Sequence, residues 1–394
     1  MTGVVEVKKT DLQLDVLQKF IFDKELVPVL QEQLDQAEKR KENGFLDFTD
    51  TEILLWYLNE RKHLDEAKDR SEKTVKEYGK ELTMFVKQLL QYGNEIGLDI
   101  DYIIEGSLFK SIEKRHLRRY QEWLKRESPY VKKKGKYSPA TLDRKTTIIK
   151  SFFAYLHKVG YISEPIHEGL YTAGIRNEER PNRDLGAEEV IYFLDSFQEQ
   201  QHPIMFAIVH ILTTTGIRNE EFCTLKVKSL KEDKVLGGYV LDVIGKGKKE
   251  RTIPLKEKVV NSIHKFRFAR GLPPVEKAKP SDPLFTTNRG NAYTPSYLSQ
   301  YVTKEISKLY VKKKVDGEEA QDEKEQVEVI RITPHYFRHA FAIISRLNKV
   351  DVYDIMRSLG HERIETTEIY LAKTFAKQNN AIHSWKPELF GEYI

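Results

Sequence analysis

One cysteine, Cys223, stands in a chain of 394 residues. A single thiol cannot build an internal disulfide framework, and such scarcity fits a reducing cytoplasm. Cys223 falls in an apolar register and is expected to be core. No apolar run is long enough to span a bilayer, and Met1-Thr2-Gly3 opens no signal-peptide pattern. Neither sign of charge dominates: 65 Lys and Arg stand against 60 Asp and Glu, a formal net of +5. With 40% hydrophobic and 32% charged residues, the composition is that of a globular protein, not a disordered one. The length suffices for two or three domains with real cores.

The small net charge hides an uneven distribution. Between Lys110 and Lys150 stand 14 Lys and Arg against 4 Asp and Glu, a local +10, so the rest of the chain carries −5. Tyr120, Trp123, Tyr130 and Tyr137 are interleaved with these cations, a pattern that fits contact with a phosphate backbone. Lys132, Lys133, Lys134 and Lys136 flank Gly135 in a basic loop, and Arg144 and Lys145 follow. All six are candidates for contact with nucleic acid, the alternative being a merely solvated basic patch.

Hydrophobic spacing divides the chain. Residues 1–65 read as a helical extension, with Leu12, Leu14, Leu17, Phe20 and Ile21, then Leu26, Leu30 and Leu34, at helical spacing. Residues 66–174 read as a helical domain. Ser71 caps a helix with Val75, Tyr78, Leu82, Phe85, Val86 and Leu89 on its apolar face, expected to stop at Gly93; a second runs near Lys114–Lys125; Ser138-Pro139 opens a third that ends at Gly160. Residues 175–184 are polar and read as a linker. From 185 to 394 an α+β domain is expected. It is mostly helical, with a small antiparallel sheet in which Tyr239–Ile244 and Glu250–Leu255 form a hairpin around the turn Gly245-Lys246-Gly247-Lys248-Lys249.

The remaining signals concern phosphate chemistry. The chain holds Thr215-Gly216-Ile217-Arg218-Asn219-Glu220-Glu221, then Thr333-Pro334-His335-Tyr336-Phe337-Arg338-His339, then Leu359-Gly360-His361, with Tyr370 nine residues beyond His361. A guanidinium gives parallel hydrogen bonds to two phosphate oxygens and stays charged at any working pH, so Arg218 and Arg338 can clamp a phosphodiester. Thr333 as N-cap and Pro334 as first helical residue place His335 and Arg338 on one helical face. Tyr370 is the candidate nucleophile, whose attack would split one hard substitution into two reversible ones. The arginines would take the place of a divalent metal in neutralising charge, and neither a metal nor another cofactor is expected. A lysine of the hairpin turn, Lys246 or Lys248, could protonate the leaving oxygen. Each signal alone has an ordinary explanation in packing or solvation; their joint order does not.

These motifs, with Ile244-Gly245-Lys246-Gly247-Lys248-Lys249-Glu250-Arg251 and Ile369-Tyr370, resemble those of the tyrosine recombinases, the phage-integrase family of site-specific DNA recombinases. The resemblance covers the C-terminal half. It implies that Arg218 and Arg338 bind the scissile phosphate, that Lys246 protonates the departing 5′ oxygen, that His335 assists proton transfer, that His361 hydrogen-bonds the phosphate, and that Tyr370 forms a 3′-phosphotyrosyl bond. Glu221 would support the first arginine, and Lys248 would contact DNA. The helical domain would be the core-binding domain, and the assembly a homotetramer on two duplexes, linked through a tail carrying Ile382, Trp385, Leu389, Phe390 and Ile394. Phe337 and Ala340 depart from the family's usual leucine and threonine on a buried helix face. The charge-dense segment 311–329 reads as an exposed insertion or an extended hairpin. A type IB topoisomerase-like relaxing enzyme and a non-catalytic DNA-binding regulator are the alternatives.

Overall fold

The computed structural model describes residues 22–65, 69–172, 174, 183–315 and 331–375, without the side chains of Lys246, 311–315 and 372–374. The expectations for the residues before 22, most of the linker, residues 316–329 of the charge-dense segment and the tail beyond 375 fall outside these residues, while 311–315 are helical. The chain divides into two compact units, Met1–Pro181 and Asn182–Ile394.

The first unit is helical: α1 (Val27–Lys39), α2 (Asp50–Asn59), α3 (Glu72–Ile96), α4 (Leu108–Ser111), α5 (Lys114–Arg126), α6 (Pro129–Lys134) and α7 (Pro139–Lys158). Thr49 and Glu52 form a capping box that starts α2. Six consecutive residues, Ile53–Leu58, are buried there in the same core as Leu30, Phe85, Tyr120 and Phe152. A helix buried on every side is not an appended extension, so the expected division at 65/66 lies inside one unit. Asp50 locks this core. Its carboxylate accepts from the N–H groups of Leu108 and Phe109 at 2.7 and 3.2 Å, from the Tyr161 hydroxyl at 2.8 Å, and from Ser107 Oγ.

One expectation here needs correction. Helix α3 does not stop at Gly93. It kinks at Tyr92 (φ −121°) and ends at Gly97, which takes φ +76° while the Leu98 N–H returns to the Gly93 carbonyl. The basic stretch is also less free than its composition suggests. Lys132 pairs with Glu95 at 3.2 Å, Lys145 with Glu81 at 2.6 Å, and Arg144 with Glu77, all three partners on α3. The Lys145 side chain is only 16% exposed. Lys133, Lys134 and Lys136 remain exposed, beside Tyr130 and Tyr137 stacked at 4.2 Å.

The second unit holds α8 (Ala187–Glu199), α9 (Pro203–Thr215), α10 (Asn219–Thr224), the strands β1 (Leu230–Glu232), β2 (Tyr239–Ile244) and β3 (Glu250–Leu255), then α11 (Glu257–Ala269), α12 (Pro295–Val315), α13 (Pro334–Leu347), α14 (Val352–Leu359) and α15 (Ile364–Phe375). The sheet is antiparallel in the order β1-β2-β3, with Leu230 opposite Leu241 and Leu241 opposite Ile253. Mainly α with a small antiparallel sheet is therefore the fold class, as the sequence predicts. Helix α9 is apolar nearly all round, with Ile204, Met205, Ala207, Ile208, Val209, Ile211 and Leu212 buried, so it runs through the core with α8, α11 and α13 against it. Cys223 is buried, as expected, and burial pushes its thiol up to about 12. Phe337 and Ala340 are both buried on α13.

Candidate active site

The ends of α9 and α14 build the phosphate-like half of the site. Gly216 closes α9 at φ +59°, where an added Cβ would lie 2.8 Å from Leu359 Cδ2 and 2.9 Å from Phe341 Cγ. Only glycine fits a left-handed turn against which α13 and α14 close. Two residues later Arg218 caps α10. Its N–H donates to Glu221 Oε2 at 2.7 Å, its Nη1 to Glu221 Oε1 at 2.9 Å, and its Nη2 to the Gly360 carbonyl at 3.0 Å. Arg338, on α13 and 1% exposed, donates from Nη1 to the Gly216 carbonyl at 2.5 Å and from Nη2 to the Leu359 carbonyl at 2.7 Å. Two guanidiniums from distant stretches thus hang on the consecutive carbonyls of Leu359 and Gly360. Arg338 Nε finds no acceptor of good geometry among the described residues. A buried orphan donor of this kind suits a ligand oxygen. Burial, and then the charge of Arg218, lower the Arg338 guanidinium to about 10.

Glu221 sets the angle of Arg218. Burial by itself would raise its carboxyl, but hydrogen bonds from Arg251 and from Arg218 reverse this and hold it at about 2. Arg251, on β3, makes a fork to it, Nη1 to Oε1 at 2.9 Å and Nη2 to Oε2 at 2.8 Å. The carboxylate is therefore held in its ionised form well below the usual carboxylate range.

Helices α13 and α15 supply the other half. Helix α13 begins at Pro334, as predicted, although the Thr333 side chain makes no capping hydrogen bond. His335 and His339 are one turn apart, rings 4.9 Å from each other. Gly360 ends α14 at φ +66° and hands the chain to His361, whose Nδ1 lies 2.8 Å from Thr367 Oγ1 on α15. Tyr370, 9% exposed, sits among all three imidazoles. Its ring stacks on His339 at 3.8 Å and meets the edges of His361 at 5.2 Å and His335 at 5.7 Å. Its phenol lies close enough to Arg338 to act on that guanidinium by charge and hydrogen bond. Burial first, then nearby arginines, lower His335 to about 4 and His361 to about 3; burial and then His335 lower His339 to about 3. Near neutral pH all three are uncharged, so they can accept a proton. A bound anion would raise each of them.

Of the residues predicted for the site, Arg218, Glu221, His335, Arg338, His361 and Tyr370 are brought together in one unit. Lys246 starts a short turn at the hairpin tip, and its side chain lies outside the described residues. Lys248 is exposed at φ +57°. Four contributors escaped the sequence reading: Arg251, His339, Thr367 and Arg183. Arg251 follows the turn and His339 follows Arg338, so adjacency to the motifs was the available signal. Arg183, placed in the polar linker, acts with its charge on His335 and His339. Among the described residues no three His, Cys, Asp or Glu side chains form a group that could hold a metal ion.

Comparison with known proteins agrees with this geometry. Residues 184–377 match the model of the phage integrase family. The tyrosine recombinase XerC of Thermodesulfovibrio yellowstonii is 28% identical over 241 residues, 60% of this chain and 72% of that protein. XerC of Caldanaerobacter subterraneus is 27% identical over 341 residues, 84% and 86% of the two chains. In fold, the chain is similar to the XerH site-specific recombinase bound to a palindromic difH substrate, with a TM-score of 0.55 at 20% identity over 98% of this chain and 99% of that one. It is likewise similar to a lambda integrase dimer bound to a COC′ core site, with a TM-score of 0.54 at 13% identity over 88% and 87%. The chain belongs to the phage integrase family: it is a tyrosine recombinase, an enzyme that breaks and rejoins DNA strands.

Proposed function

We propose that this recombinase cuts double-stranded DNA at specific sites through a 3′-phosphotyrosyl intermediate formed by Tyr370, in DNA integration, transposition or dimer resolution. Arg218 and Arg338 grip the non-bridging oxygens of the scissile phosphate, and His361 adds a hydrogen bond. The Tyr370 oxygen attacks phosphorus while its proton passes to the neutral His335, and the P–O5′ bond breaks as Lys246 protonates the departing oxygen. Rejoining runs the same steps backwards with a different 5′ hydroxyl, so the bond energy is kept in the protein–DNA ester. Each arginine aimed at the developing charge is worth about 3–4 kcal/mol, as for other oxyanion donors. Two protomers on each of two duplexes, joined through the tail, would make the working tetramer.

The suspension of Arg218 and Arg338 from adjacent carbonyls, with the Tyr370 phenol beside Arg338, carries this reading. The test is covalent capture from a pool of nicked duplexes of randomised sequence. The unaltered chain should yield a denaturant-resistant protein–DNA adduct, whereas Tyr370→Phe should bind the same duplexes and yield none. Adducts formed by Tyr370→Phe would remove Tyr370 from the role.

A further inference from the structure

An arginine outside the predicted constellation ties its pieces together. Arg251 stands on β3 opposite Val243, with its side chain 14% exposed. Besides its fork to Glu221, its Nε donates to the Ser358 carbonyl in the last turn of α14 at 3.2 Å. The guanidinium also lies between two glycines. A Cβ on Gly360 would stand 3.2 Å from Arg251 Nη1, and one on Gly245 would stand 3.5 Å from the same nitrogen and 3.1 Å from Glu221 Oε1. Gly245 is the residue before Lys246, and Gly360 is the residue before His361 and the acceptor for Arg218.

One planar group therefore bonds the carboxylate that orients Arg218 and the helix end from which both phosphate-facing arginines hang, and lies beside the base of the lysine-bearing turn. Gly247 and Lys248 at the tip of that turn are both left-handed, so no regular ladder continues beyond Gly245. The base of the turn consequently fixes the direction in which the chain leaves the sheet. A buried ion pair is a poor source of net stability, and apolar side chains could fill the same volume. What a planar fork supplies instead is fixed angles at several partners at once.

The geometry points to Arg251 as a positioning residue for strand cleavage, one that holds the Gly245–Lys249 turn in register with the phosphate gripped by Arg218 and Arg338. This rests on the cleavage chemistry proposed above. Its effect should fall on protonation of the leaving 5′ oxygen. A 5′-bridging sulfur leaves as a thiolate without a proton, so it separates that step from phosphate binding.

The experiment uses the full chain and those nicked duplexes that the unaltered protein captures covalently, made with oxygen or with sulfur at the scissile 5′ position. The variants are Arg251→Gln, Arg251→Lys and Gly245→Ala, the last crowding Glu221 while leaving the arginine in place. Folding is checked by protection of the Cys223 thiol. On the oxygen substrate, capture by Arg251→Gln should slow by about 100-fold, the low end of what general acid catalysis contributes. The sulfur substrate should restore the share of that loss that falls on the leaving oxygen, the remainder reflecting a less firmly held Glu221 and Arg218, and the other two variants should show the same selective rescue. Arg218→Ala should lose capture on both substrates. Should Arg251→Gln fail to fold, Arg251→Lys and Gly245→Ala decide the matter. Unchanged capture, or equal losses on oxygen and sulfur, would overturn the proposal while leaving the recombinase chemistry standing. A lack of any Tyr370-dependent adduct with the unaltered protein would overturn both.

Discussion

The three neutral imidazoles around Tyr370 make the second unit acid-sensitive in a pH range above that of its carboxylates. His335 and His339 have folded-state values lowered to about 4 and about 3 by burial and neighbouring positive groups. Both are ordinary imidazoles, near 6.5, once the chain unfolds. A depressed histidine costs nothing above its unfolded value, and stability is lost as the pH falls through 6.5 towards the folded value. At pH 5 each would weaken folding by about 2 kcal/mol. His335 keeps some contact with solvent and the two repel each other's protons, so the pair together should cost about 2–4 kcal/mol. Cys223 gives a selective probe, being the chain's only cysteine and buried in this unit. Urea unfolding pulsed with a dipyridyl disulfide, which reacts at acid pH, should show the Cys223 midpoint falling by about 1–2 M between pH 7.5 and 5. His339→Phe keeps a ring against Tyr370 and should flatten the dependence. A midpoint that does not move, or ring resonances of His335 and His339 titrating near 6.5, would refute the burial and charge argument.

Three further outcomes follow from the fold. Gly216→Ala forces a Cβ into Leu359 and Phe341 at φ +59° and displaces the carbonyl that holds Arg338. Strain and overpacking together should cost about 2–5 kcal/mol in the same thiol-protection assay, with DNA capture lost even below the melting range. Asp50→Ala strands the N–H groups of Leu108 and Phe109 inside the first unit, at about 1–3 kcal/mol per buried donor, and should lower that unit's thermal midpoint without moving Cys223 protection. On non-specific duplex DNA, removing Lys133, Lys134 and Lys136 together should reduce the slope of log affinity against log salt by about 2–3, about 0.9 per phosphate contact. Removing Arg144 and Lys145, already engaged by Glu77 and Glu81, should leave that slope nearly unchanged.

What could be read from the sequence was whatever depends on neighbours in the chain. Thr333-Pro334 marked the start of α13, and the β-branched apolar run of Tyr239–Ile244 with the glycine-punctuated turn after it marked the hairpin, because caps and turns are local events. The fold class followed from such signals. What the sequence did not show is whatever is set by something far along the chain. Counting cations from Lys110 to Lys150 took no account of α3, whose Glu77, Glu81 and Glu95 lie well before that window and neutralise three of the cations. Strand β1 is three residues long and carries no period to detect.

The same distinction separates the residues found at the site from those missed. Arg218, Arg338 and Tyr370 announce themselves because phosphate chemistry demands their side chains in any fold. Arg251 does not, because an arginine after a lysine-rich turn is unremarkable until Glu221 is seen to be 3% exposed and held ionised by Arg251 together with Arg218. Arg218 gives each oxygen of that carboxylate one hydrogen bond, its N–H to Oε2 and its Nη1 to Oε1, and Arg251 adds a second bond to each together with a second positive charge against the cost of burial. The requirement for Arg251 is therefore a consequence of where Arg218 must point, and it becomes visible only when α10, β3 and α14 are assembled around the same carboxylate.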